Sequence, residues 1–134
     1  MKARSIIMPL IFCLYLAGVA SLCFLHGEDL PNITGTWFGL PADKVAHFAM
    51  FFPFIPLAYI AFRKKKGAKL VNLLILTILL AFGVGTAYMT EIIQEKLGYR
   101  SYEISDFKTD CIGLAAGYLI IFSGIILKKS RKRR

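Results

Sequence analysis

The feature that most constrains this chain is the unequal way its charge is divided among four long apolar stretches. Residues 6–25 and 70–90 carry no charge, and residues 43–62 and 109–127 carry theirs only at the start. Each stretch supplies roughly the 20 apolar residues a helix needs to cross a hydrocarbon core. In lipid, a single segment satisfies its own backbone N–H and C=O groups only as a helix. The expected fold is therefore all-α, an integral membrane four-helix bundle. Residues 1–134 form a single transmembrane domain, with spans at about 6–25, 43–62, 70–90 and 109–127. The hydrophobic content of 57% agrees, since soluble domains hold about 45–50%. Pro53 and Pro56 fall inside the second span and predict a kink or broken hydrogen bonds there.

The charges between the spans set an orientation. Lys2 and Arg4 precede the first span, Arg63, Lys64, Lys65, Lys66 and Lys69 join the second to the third, and Lys128, Lys129, Arg131, Lys132, Arg133 and Arg134 end the chain. No acid lies among these thirteen bases. All eight acids fall at the opposite ends of the spans: Glu28, Asp29, Asp43, Glu91, Glu95, Glu103, Asp106 and Asp110. The positive-inside rule then places both termini in the cytoplasm and faces the loops at about 26–42 and 91–108 outward. A net charge of +9 arranged this way marks topology and attraction to anionic lipid. It implies membrane lipids as partners and no nucleic acid.

The first apolar run exceeds the 7–15 residues usual for a signal-peptide core, so it is read as a retained helix. Cys13, Cys23 and Cys111 match no zinc spacing and are read as small packing residues, although Cys23 and Cys111 both fall near outer helix ends. The stretch from His26 to Ala42 contains Gly27, Pro31, Gly35, Gly39 and Pro41 and reads as an outer loop with turns. Trp37, Phe38 and Leu40 suit the membrane–water interface. Gly113-x-x-x-Gly117 gives the fourth helix a small face for close approach, and Ala81, Gly83, Gly85 and Ala87 suggest the same on the third.

Three outward helix ends carry polar pairs. In "PADKVAHFAM", Asp43, Lys44 and His47 lie three and four apart, on one helical face. In "TEIIQEKLGYR", Glu91 and Gln94 share a face if the helix runs to about Leu97, with Gly98 as its C-terminal cap. In "SDFKTDCIG", Asp106 and Asp110 are four apart, and Arg100 lies in the preceding loop. Topology brings these groups to one depth, and their convergence on one point is an expectation. Singly, each has a structural explanation: Asp43 and Asp106 favour helix N-termini, Lys44 reaches headgroups, and His47 is a satisfied buried group. Glu91 resists such an account, because a carboxylate near a helix C-terminus opposes the macrodipole. Glu95, Lys96, Glu103 and Lys108 read as a solvated rim.

The ordered set "DKVAHF", "EIIQ", Arg100, Asp106 and Gly113 resembles the VanZ-like membrane proteins over most of the chain. One departure is Asp110, where that family often has Asn within D-x-x-x-N-x-x-G. The resemblance implies a multi-pass protein of the bacterial inner membrane and a link, through the family's namesake, to low-level resistance to the glycopeptide teicoplanin. It supplies no agreed reaction, ligand or cofactor.

The residues leave several functions open. The first is binding or modification of a cell-envelope lipid or headgroup at the outer surface. Lys44 and Arg100 would hold an anionic group, Asp106 would orient them, and Glu91 and Gln94 would take hydroxyls, amides or an ammonium. The second is an intramembrane hydrolase or transferase on a lipid-linked phosphate, with His47 as general base oriented by Asp43 or Glu91. The third is a structural lock with no small-molecule site. His47 with Glu91, Asp106 and Asp110 offers one histidine among scattered acids, so the sequence assigns no metal.

Overall fold

The computed structural model describes residues 2–24, 35–63, 68–98 and 103–130. Helix α1 is Lys2–Phe24. A short hairpin, β1 (Thr36–Trp37) and β2 (Leu40–Pro41), leads directly into α2 (Ala42–Phe51). After a break come α3 (Phe54–Phe62), α4 (Lys69–Lys96) and α5 (Ile104–Ser130). Counting α2 and α3 together, four helical segments are long and apolar enough to cross a membrane. The all-α four-helix expectation holds, with the hairpin as the only sheet among the described residues.

The break at Phe52–Pro53 has the expected cause. Pro53 and Pro56 lack backbone N–H groups, so the carbonyls of Ala49 and Phe52 lose their helical partners. Pro56 falls in the first turn of α3, where the missing N–H costs least. The Tyr15 hydroxyl on α1 donates to the freed region at the Met50 carbonyl. Gly113 and Gly117 of α5 lie against the same junction. A Cβ on Gly117 would stand 2.6 Å from the Phe52 carbonyl oxygen, and one on Gly113 would stand 2.9 Å from that of Phe48. The two glycines thus let α5 approach the broken helix backbone to backbone, as small residues do in lipid.

Burial along α4 and α5 follows helical periodicity. On α4 the buried face is Leu76, Gly83, Ala87, Thr90, Glu91 and Gln94. On α5, Asp106, Asp110, Gly113, Leu114 and Gly117 are buried. Each stripe is small or apolar in the middle of the bundle and polar at one end. The small residues of α4 divide accordingly: Gly83 and Ala87 are inside, whereas Ala81 and Gly85 are exposed. This corrects the expectation that all four pack. Residues two apart cannot share a helical face.

Helix α4 extends to Lys96, and Gly98 ends it with φ of +69° and an N–H donated to the Glu95 carbonyl at 3.0 Å. Helix α5 begins at Ile104, before the apolar span at 109–127, because its first turns are helical but polar. In the hairpin, Trp37 pairs with Leu40 across a two-residue turn, with φ of +54° at Phe38 and +78° at Gly39. Two positive φ values give the primed turn that matches strand twist. Trp37, Phe38 and Leu40 are all exposed. Cys13, Cys23 and Cys111 form no disulfide among the described residues.

Candidate functional site

The polar residues of three helices meet at one end of the bundle. His47 is placed by α2, where the hairpin fixes the helix start: the Ala42 N–H donates to the Gly35 carbonyl at 3.0 Å. Asp106 and Asp110 enter from the first two turns of α5, and Glu91 from the last turns of α4. Close packing at Gly113 sets the rotation that aims both aspartates at α2.

His47 stands between two carboxylates. Its Nδ1 lies 2.9 Å from Asp110 Oδ1 and its Nε2 lies 3.5 Å from Asp106 Oδ2. The first is a hydrogen bond, and the second is longer than an N–H···O bond. His47, Asp106 and Asp110 are each at most 3% exposed. A carboxylate oxygen of Glu91 lies within 4.8 Å of the ligand atoms of His47 and Asp106. Glu91 Oε1 and Asp110 Oδ2 are buried and have no hydrogen-bond partner among the described residues.

Lys44 lies one turn nearer the bundle end. Its ammonium pairs with Asp106, with Glu103 at 2.9 Å and with Asp43 at 3.2 Å. An ammonium has three donors, and three carboxylates match them. Lys44 therefore neutralises acids instead of presenting a free cation to an anionic ligand. Asp106 bridges the two groups, with Oδ1 toward Lys44 and Oδ2 toward His47. The Lys44 ammonium holds the Glu103 carboxyl below its usual value.

The sequence-derived set is therefore brought together in part. Asp43, Lys44, His47, Glu91, Asp106 and Asp110 form one connected cluster. Gln94 is buried, but its Nε2 donates to the Cys23 carbonyl at 2.9 Å and ties α4 to α1. Arg100 lies outside the described residues. Glu103, read from the sequence as solvated rim, belongs to the cluster as a Lys44 partner. Its position directly before α5 was the available signal. The orienting carboxylate for His47 is Asp110, not Asp43 or Glu91.

These features define a multi-pass membrane protein with a buried histidine–carboxylate cluster at one end of its bundle. A family model described as VanZ/LLP1 matches residues 12–128, and the chain belongs to that family. No curated protein and no solved structure matches it.

Proposed function

We propose that the cluster binds the headgroup of a membrane lipid or lipid-linked cell-envelope precursor at the outer face of a bacterial inner membrane. One observation carries this reading: Glu91 Oε1 and Asp110 Oδ2 are buried without partners among the described residues. A purely structural lock gains nothing from this, because an unsatisfied buried polar group costs about 1–3 kcal/mol. A ligand supplying donors or a cation would recover that cost. The charge partition described above turns this end of the bundle outward, to headgroup depth. Occupying or altering an envelope headgroup there is also a route to a changed response to teicoplanin-type glycopeptides.

The His47–Asp110 hydrogen bond favours a second reading, modification instead of binding alone. A carboxylate on Nδ1 fixes the tautomer and leaves Nε2 able to accept a proton from a hydroxyl or water.

The test is lipid retention. Wild-type protein extracted in mild detergent is expected to carry a lipid of defined headgroup, detected by native mass spectrometry. Glu91→Gln and Arg100→Ala are expected to lose it while inserting and melting like wild type. If those variants keep the same lipid, or insert poorly and melt much earlier, the site reading fails and the structural lock replaces it. Turnover of a lipid-linked substrate by wild type would then separate an enzyme from a binder.

A further inference from the structure

Two groups of acids at this end of the bundle have the spacing of a cation site: Asp43, Glu103 and Asp106, and, deeper, His47, Glu91 and Asp106. The outer group already surrounds a cation, the Lys44 ammonium. Among the described residues the inner group has no cation wholly its own beyond what His47 can carry, and it shares Lys44 through Asp106. It holds Glu91, 2% exposed and with one carboxylate oxygen unpartnered among the described residues, close to Asp106 and to a third buried acid, Asp110.

The imidazole is poised for a metal. With an ionised Asp110 accepting a hydrogen bond from Nδ1–H, a neutral His47 turns its Nε2 lone pair toward Asp106 Oδ2, 3.5 Å away. A lone pair facing an ionised carboxylate at that distance is repulsive unless a positive group lies between them. Two ligand atoms at the usual zinc distances of about 2.0–2.1 Å, at tetrahedral angles, stand about 3.4 Å apart. The observed separation fits. A carboxylate on the far nitrogen of a metal-bound histidine is also the common outer-shell arrangement. Charge points the same way: Glu91, Asp106 and Asp110 are buried beside one lysine that Asp43 and Glu103 also engage, and a divalent ion would offset part of that excess negative charge.

We propose that His47 Nε2, Glu91 and Asp106 bind one divalent transition-metal ion of the zinc type, with Asp110 holding the histidine in place. One nitrogen and two carboxylate donors, with His47 Nε2 and Asp106 Oδ2 at close to tetrahedral spacing, suit zinc better than magnesium, which requires six near-ideal oxygen ligands. Three protein ligands leave a fourth position open to a water or to an oxygen of the ligand. Only that last point rests on the headgroup reading; metal uptake stands without it.

Uptake is measured on tag-free, full-length protein in lipid-free detergent after treatment with a chelator. Zn²⁺ is followed by calorimetry and elemental analysis, and Co²⁺ by its visible absorption. Wild type is expected to bind one Zn²⁺ per chain and to show the intense bands of four-coordinate Co²⁺, with far weaker Mg²⁺ binding. Glu91→Gln and Asp106→Asn should abolish stoichiometric uptake, and Asp110→Asn should weaken it about 10- to 100-fold. Glu95→Gln, an exposed change on the same helix, should leave it intact. Thermal melting in detergent confirms that each variant is folded. Wild type that melts cooperatively yet takes up no zinc overturns the site, and leaves a proton or a cation of the chain itself, Arg100 included, to balance the cluster. Unchanged affinity in folded Glu91→Gln overturns it equally. Because no lipid is present, failure here is distinct from failure of headgroup binding.

Discussion

His47 and Asp110 lie 63 residues apart in sequence and 2.9 Å apart in space, with both side chains buried at one end of the bundle. The contact sets the histidine's tautomer and joins α2 to α5. It also separates two substitutions at one position. Asp110→Asn keeps an oxygen for the Nδ1 proton and is expected to melt within about 1 kcal/mol of wild type. Asp110→Ala strands His47 in a buried setting and should cost about 1–3 kcal/mol. Reversible unfolding in detergent, monitored by circular dichroism, measures both. Equal losses would show that the hydrogen bond contributes nothing.

The glycines of α5 and α4 give opposite expectations for one chemical change. Gly117→Ala places a Cβ 2.6 Å from the Phe52 carbonyl oxygen, and backbone cannot move aside as a side chain can. It should destabilise by about 1–3 kcal/mol, the usual range for overpacking. Gly85 has nothing within 4 Å of the same added atom. Gly85→Ala should be neutral or stabilise by up to about 1 kcal/mol through helix propensity. The same unfolding measurement ranks the pair.

How far the site could be read in advance follows from the same packing. The apolar lengths and the charge partition were enough to bring Asp43, Lys44, His47, Glu91, Asp106 and Asp110 to one depth. The partners depended on helix rotation, which spacing within one helix cannot supply. Asp110 faces His47 because Gly113 seats α5 against the Phe48 and Phe52 backbone, a fact of contact between helices distant in sequence. Gln94 was expected to share a helical face with Glu91, and both are buried, but its amide turns to Cys23 on α1. Glu103 was legible as a polar rim residue, yet its ion pair with Lys44 depended on where α5 begins, at Ile104, ahead of the apolar span at 109–127.

Glu103 supplies a pH expectation. Its carboxyl lies outside the spans and is held below its usual value, 4.5, chiefly by the hydrogen bond and charge of Lys44. A depressed carboxyl favours the folded state above its unfolded value, and that contribution is lost as pH falls through the folded value. Lys44→Met removes the cause, so the Glu103 midpoint should return upward. Carbon-13 NMR of the labelled side chain in detergent micelles reads it directly. An unchanged midpoint would mean that Lys44 does not reach Glu103 in solution.

Trp37 is the single tryptophan of the chain, so its fluorescence reports on the hairpin alone. It sits half-exposed beside Phe38, which is 96% exposed at the turn. A bulky aromatic with φ of +54° is unfavourable in water on two counts, its backbone and its bare apolar surface. Both are tolerable if the turn rests among headgroups, where aromatic side chains gather. In vesicles, lipids brominated near the headgroup should quench Trp37 more than lipids brominated near the chain ends. Phe38→Asn accepts the same backbone geometry more readily, but it should weaken the shallow quenching by lifting the hairpin from the interface. Emission like that of tryptophan in water, unaffected by either brominated lipid, would place the hairpin in solvent and remove it from any role at the membrane surface.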